Sequence, residues 1–332
     1  MSQSYRLPAR GSIDRSEPIT FRFNGRTLSG YAGDTLASAL LANGIHLVGR
    51  SFKYHRPRGI VGSGAEEPNA LVQIGYGALT IPNLRATQVE IVEGMDARSV
   101  NVWPSVEFDL GAINSWFARI LPAGFYYKTF MRPAFMWHWY EKQIRKAAGF
   151  GVAPDGPDPD TYDHMNAHTD VLVVGAGPSG IAAALAAARK GARVILADER
   201  HELGGSALFT RDAIDGQPAA EWVRASLEEL QAMPKVRIFS RTTAFGAYRE
   251  NFVALIERRT DHLASPPKHV SRQRMWRVRA KHIVIATGSL ERPLVFGNND
   301  RPGVMLSGAV STYVNQFGVA PGRRAVVFTN ND

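Results

Sequence analysis

Three observations predict an α/β chain built from two successive folding units. Asn24-Gly25, flanked by alternating apolar and polar residues, marks a hairpin that leads into a short helical pattern. Beyond residue 165, apolar strands alternate with helical stretches, the order of a parallel sheet covered by helices. The first of those strands runs directly into Gly175-Ala176-Gly177-Pro178-Ser179-Gly180 and a helix. At 332 residues the chain is long enough for two or three such units, each with its own core.

Taken in order, residues 1–19 read as a polar tail. Alternation from Ile19 to Tyr31 on both sides of Asn24-Gly25 gives a two-stranded ribbon. Asp34 is placed to cap a helix carrying Leu36, Ala39, Leu40 and Ala42 on its apolar face, and Asn43-Gly44 stops it. A Gly-rich loop (49–68) and a strand from Ala70 to Ile74 complete the element order of a β-grasp domain over residues 20–100.

Residues 101–165 form a connecting segment. Its rings, Trp103, Trp116, Phe117, Phe125, Tyr126, Tyr127, Phe130, Phe135, Trp137, Trp139 and Tyr140, read as core or as an interdomain or intersubunit surface rather than a ligand box. The run 153–164, with three prolines and four acids, reads as a linker.

A dinucleotide-binding domain follows over 166–322. A strand from residue 171 enters the Gly loop, a helix spans 181–191 and a second strand 193–200. A helix from Ala219 to Gln231 and strands at Val236 to Phe239, Phe252 to Glu257 and Met275 to Thr287 continue it. Residues 323–332, with Arg324 to Thr329 as a strand, read as the start of a second nucleotide-binding domain. A parallel strand without a crossover leaves its edge bare, so a larger polypeptide is expected.

Composition narrows the function. There are 39 Lys+Arg against 30 Asp+Glu, a net charge of +9, but no nucleic-acid motif accompanies it. In the densest basic stretch Arg277, Arg279 and Lys281 alternate with Val278 and Ala280 ahead of Ile283, Val284 and Ile285, the pattern of a strand with one solvated face. Without cysteine there is no disulfide, thiolate nucleophile, Cys-ligated zinc or ordinary iron–sulfur cluster. His46, His55, His138, His164, His168 and His201 are scattered, no HExxH motif or i, i+4 pairing suggests a metal site, and packing or surface roles are expected. The N-terminus lacks an apolar h-region, which predicts a cytoplasmic protein. Val171 to Ala188, the one span-like stretch, contains the Gly motif, so no membrane partner is expected.

That motif carries the chemistry. Gly175 permits the turn, Gly177 lets backbone approach a pyrophosphate, and Gly180 allows helix to pack on strand. Asp198-Glu199-Arg200 lies about 20 residues on, where an acid accepts hydrogen bonds from ribose hydroxyls. Leu203-Gly204-Gly205 and, at the end of a later strand, Ala286-Thr287-Gly288 follow. Together these features resemble the two-dinucleotide-binding-domain flavoprotein family over residues 170–332, in which they line one nucleotide site. An acid at 198 or 199 suits NAD and FAD and disfavours NADP.

Across nearly the whole chain, Arg50-Ser-Phe-Lys-Tyr-His-Arg-Pro-Arg-Gly59, Glu67-Pro-Asn-Ala-Leu-Val-Gln73 and Gly124-Phe-Tyr-Tyr-Lys-Thr-Phe130 resemble the alpha subunits of heterotetrameric sarcosine oxidases. The resemblance implies a ferredoxin-like β-grasp domain and NAD in the Gly-rich site, with FAD as the alternative. It also implies FMN at the interface with a beta subunit, and gamma and delta subunits as further partners. Such complexes demethylate sarcosine oxidatively to glycine, with no catalytic residue on this chain, and the family's folate-binding domain is not in this sequence. Cluster-bearing relatives have C-x4-C-x2-C where this chain has Gly62, Glu67 and Ala70, which implies no iron–sulfur cluster. Competing readings are a thioredoxin-reductase-type NAD(P)H-dependent flavoprotein, a subunit of a related amine dehydrogenase, and a non-enzymatic scaffold.

Overall fold

A computed structural model describes residues 3–119, 132–147 and 151–330, so the 124–130 motif with Phe125, Tyr126, Tyr127 and Phe130 lies outside the described residues. Contacts divide the chain into two compact units, 1–159 with 292–332, and 160–291.

In the first unit, β1 (Pro18–Phe23) and β2 (Arg26–Tyr31) pair antiparallel around Asn24 and Gly25, both at positive φ as a two-residue hairpin turn demands. Helix α1 (Leu36–Ala42) follows, then β3 (Leu71–Ile74), β4 (Ile81–Arg85) and β5 (Asp96–Ser99). The sheet order is β2-β1-β5-β3-β4, with β1 and β5 parallel and the other pairs antiparallel. Phe21, Phe23 and Leu28 enter one core with every residue of α1.

Three details depart from expectation. Thr35, not Asp34, is the N-cap of α1, its hydroxyl accepting from the Ser38 amide. Asp34 is fully buried and drawn one residue away from that role, accepting from Arg6, the Tyr31 amide and the Ser38 hydroxyl. The supposed polar tail is therefore docked: Arg6 forms this buried ion pair, and Leu7 donates its amide to the Gly318 carbonyl.

Helix α2 (Trp137–Ala147) lies in the connecting segment, whose described rings are not core. Trp116 and Phe135 are each 84% exposed, and Trp103 and Trp139 also face outward. Residues 151–161 carry no regular structure.

The second unit is a six-stranded sheet. Strand β6 (Tyr162–Val174) begins inside the expected linker and leads to helix α3 (Pro178–Arg189) and strand β7 (Val194–Ala197). Helix α4 (Ala219–Ala232), β8 (Val236–Phe239), β9 (Thr242–Tyr248), β10 (Phe252–Arg258) and β11 (Gln273–Ile285) complete it. The order is β8-β7-β6-β11-β10-β9; the first four strands are parallel, and β10 and β9 add an antiparallel edge. On β11, Trp276, Val278 and Ala280 are buried while Arg279 and Lys281 are exposed and Arg277 is partly so, the alternation read from the sequence. Apolar faces of α3 and α4 cover β6 and β7 through Ile181, Leu185, Val223 and Leu230.

Residues 292–322, expected within the dinucleotide domain, group instead with the first unit. There helix α5 (Ser307–Asn315) buries Ala309 and Tyr313 in the β-grasp core beside Leu306 and Phe317. The expected strand at Arg324 to Thr329 is absent. Val326 is 95% exposed and its neighbours have no ladder partner among the described residues, and without a partner extended chain is not a strand.

Candidate functional site

The Gly-rich turn joins the C-terminal end of β6 to α3, the position where open parallel sheets bind nucleotides. Its three glycines are there for different reasons. Gly175 sits at φ +100, and a Cβ on it would lie 2.3 Å from the Ala286 carbonyl oxygen. A Cβ on Gly180 would lie 1.9 Å from the Gly175 carbonyl oxygen. Both positions are closed by the protein's own backbone. Gly177 differs: its φ of −74° is ordinary, and the nearest atom to a Cβ there is the Gly205 Cα at 4.0 Å. That side of Gly177 is an open cradle which a side chain would fill.

Gly177 caps α3 without a side-chain hydrogen bond, and Pro178 occupies the first turn, where its missing N–H costs nothing. The Ile181 amide already donates to the Gly177 carbonyl, and the amides that precede it at this helix start present partial positive charge to an anion. Opposite lies the second turn. Gly204 donates its amide to the Ala176 carbonyl at 2.8 Å, and Gly205, at φ +55, faces Gly177. The two Gly turns are thus tied together by one backbone bond and touch at Gly177 and Gly205, with the open side of Gly177 next to that contact.

Asp198, at the end of β7, is spent on this scaffold. Its carboxylate accepts from the Ala176 amide at 2.7 Å and from the Arg200 amide at 2.9 Å. Glu199 follows it, with its carbonyl held by Arg258. Sequence alone left both acids open as the ribose acceptor, and of the two it is the Asp198 carboxylate that bonds the Gly turn. Ala286 continues the sheet by donating to the Val174 carbonyl, and Thr287 and Gly288 lie exposed just beyond β11, which ends two residues earlier than expected.

The histidines form no centre. Among the described residues no three His, Cys, Asp or Glu side chains are grouped to hold a metal ion. His164 and His168 are spaced i, i+4, but on β6, where four residues span about 13 Å, too far for one ion. His55 is the exception that spacing could not reveal: its Nδ1 lies 2.6 Å from the buried carboxylate of Asp109, 54 residues away. Asp109 also accepts from the Trp103 and Gly111 amides, so the pair closes a loop. Among the described residues no helix is long and apolar enough to cross a membrane.

Residues 16–102 match a family described as 2Fe-2S iron-sulfur cluster binding domain, and residues 170–280 one described as FAD dependent oxidoreductase. The chain is 56% identical over 330 residues to sarcosine oxidase subunit alpha of Rhizobium meliloti (strain 1021), covering 99% of this chain and 33% of that protein. It is 41% identical over 341 residues to sarcosine oxidase subunit alpha of Corynebacterium sp. (strain U-96), covering all of this chain and 30% of that one. Among solved structures, L-proline dehydrogenase from P. horikoshii superposes with a TM-score of 0.62 at 21% identity, over 97% of this chain and 50% of that chain, a likeness of fold. The chain thus spans about a third of the length of the curated relatives it matches, and over that span it is homologous from end to end to sarcosine oxidase subunit alpha.

Proposed function

We propose that this chain is the dinucleotide-binding part of an amine-oxidising complex of the sarcosine oxidase type, and that it holds NAD against its Gly-rich turn at Gly177. The observation that carries the reading is the cradle at Gly177, open where its neighbours Gly175 and Gly180 are closed by backbone. The pyrophosphate is assigned to this cradle, held by the α3 amides. Of the two acids that follow β7, Glu199 is assigned to the ribose hydroxyls and Asp198 to holding the turn through the Ala176 and Arg200 amides. Ala176, Pro178, Gly204, Gly205 and the 286–288 turn shape the site walls.

The residues bind and orient; none is assigned a proton transfer. In the complex proposed here, flavin would supply the two-electron acceptor for the oxidative demethylation of sarcosine, water releasing the oxidised N-methyl carbon as formaldehyde to leave glycine. FMN at the interface with a beta subunit, and gamma and delta subunits, complete this reading through the family resemblance.

FAD in the same cradle is the second reading, favoured by the FAD dependent oxidoreductase match over residues 170–280. Both nucleotides share the ADP half that the cradle fits. Denaturing the purified protein and resolving the released nucleotide by chromatography and mass distinguishes them. Stoichiometric NAD supports the first reading, FAD with its visible absorbance the second, and failure to bind either on titration overturns the site.

A further inference from the structure

We propose that in the first unit the Glu67 carboxylate takes the place of an iron–sulfur cluster as the centre around which the loop 59–70 folds, and that this domain carries no electrons. The match over residues 16–102 implies a [2Fe–2S] group, so its fit can be tested against the residues present. The three positions corresponding to the C-x4-C-x2-C ligands are Gly62, Glu67 and Ala70, and the chain contains no cysteine to supply a thiolate.

The geometry shows what stands there instead. Glu67 is 1% exposed, and both its oxygens are saturated by the loop. One accepts from the amides of Val61 and Gly62 at 2.7 Å each, the other from Asn69 at 2.7 Å and Ala70 at 2.8 Å. The side chain at the middle ligand position therefore binds the backbone at both of the other two. Glu66 continues the arrangement, accepting from Ser63 and Gly64.

The loop's carbonyls are equally committed. Tyr313 donates its hydroxyl to Gly62, the Leu306 amide to Val61, and Thr87 its hydroxyl to Gly64. A Cβ on Gly62 would lie 2.7 Å from Glu66 Oε1, so a ligand side chain has no room there unless Glu66 moves. The group does not fit. A buried carboxylate without partners would be costly; four amide donors arranged as an anion-binding nest make it the organising charge of the loop.

Amide exchange on the purified full chain tests this. In the wild type the amides of Val61, Gly62, Asn69 and Ala70 should be protected. In Glu67→Gln, whose amide nitrogen cannot accept, exchange across 61–70 should accelerate roughly tenfold to a hundredfold, with β6 unchanged. Unprotected exchange at those four amides in the wild type overturns the proposal, and this measurement decides if Glu67→Gln does not fold. Unchanged loop exchange in a folded Glu67→Gln overturns it equally. So does stoichiometric iron with charge-transfer absorbance after reconstitution of the wild type with iron and sulfide; a colourless, iron-free product supports it.

Discussion

Substituting Ala at Gly177 and at Gly180 should separate binding from folding in one motif. At Gly177 the backbone is at φ −74° and ψ 179°, which alanine adopts freely, and the new methyl meets nothing closer than 4.0 Å. Reduced freedom of the unfolded chain favours the variant by ~0.4–1 kcal/mol, and replacing Gly at a helix N-cap opposes it by a similar amount. Stability should therefore stay within about 1 kcal/mol of wild type. The methyl nevertheless occupies the space assigned to the pyrophosphate, and affinity for NAD or FAD should fall at least about a hundredfold, or ~2.7 kcal/mol. At Gly180 the order reverses. A Cβ placed 1.9 Å from the Gly175 carbonyl oxygen forces helix and strand apart, which costs about 1–3 kcal/mol or more because the obstacle is backbone. A shift of several degrees in thermal midpoint is expected for that loss. Thermal unfolding with and without nucleotide, combined with calorimetric titration, reads both effects. Wild-type affinity in Gly177→Ala, or a larger loss of stability there than in Gly180→Ala, would refute the assignment of the cradle.

Further outcomes follow from the same geometry. Asp198→Ala strands the amide of Ala176, which is 0% exposed, and should destabilise the second unit by roughly 2–4 kcal/mol even without nucleotide; urea unfolding checks this, and an effect confined to binding would show the acid to be a ribose ligand instead. Asp300 is held below the ordinary carboxylate range by hydrogen bonds from Arg56, aided by the charge of Arg58. Its contribution, on the order of 1–2 kcal/mol, is then complete above the unfolded value of ~3.9 and is lost as pH falls through the lower folded value; the stability gap between wild type and Asp300→Asn should close along that descent, and a gap that persists in strong acid would contradict it. Replacing Trp116 and Phe135, each 84% exposed, with Ser should lower binding of a hydrophobic dye while leaving the thermal midpoint within about a degree, since neither ring is packed in a core; a fall in midpoint of several degrees would mean that they are.

Local chemistry was enough for much of this protein. The Asn24-Gly25 turn, the stop at Asn43-Gly44, the alternation along β11 and the strand-Gly-helix passage at 175–180 follow from constraints acting within a few residues, and each is found in the structure. Nearby sequence could not say that Arg6 would capture Asp34 and leave the helix cap to Thr35, since the partners are 28 residues apart. Nor could it place α5, which begins at Ser307, in the core of a β-grasp unit whose last strand ends at Ser99, or pair His55 with Asp109. The segment 324–329 has strand composition and no strand, because a ladder depends on a neighbour that composition does not supply. Residue identity and spacing alone make the Gly-rich turn a dinucleotide candidate and leave positions 62, 67 and 70 without a thiolate. Folding adds which glycine has open space beside it, which of two adjacent acids bonds the Gly turn, and that Glu67 gathers the amides of its own loop. The first two depend on approaches between segments distant in sequence and the third on the conformation of one loop, and both exist only once the chain has folded.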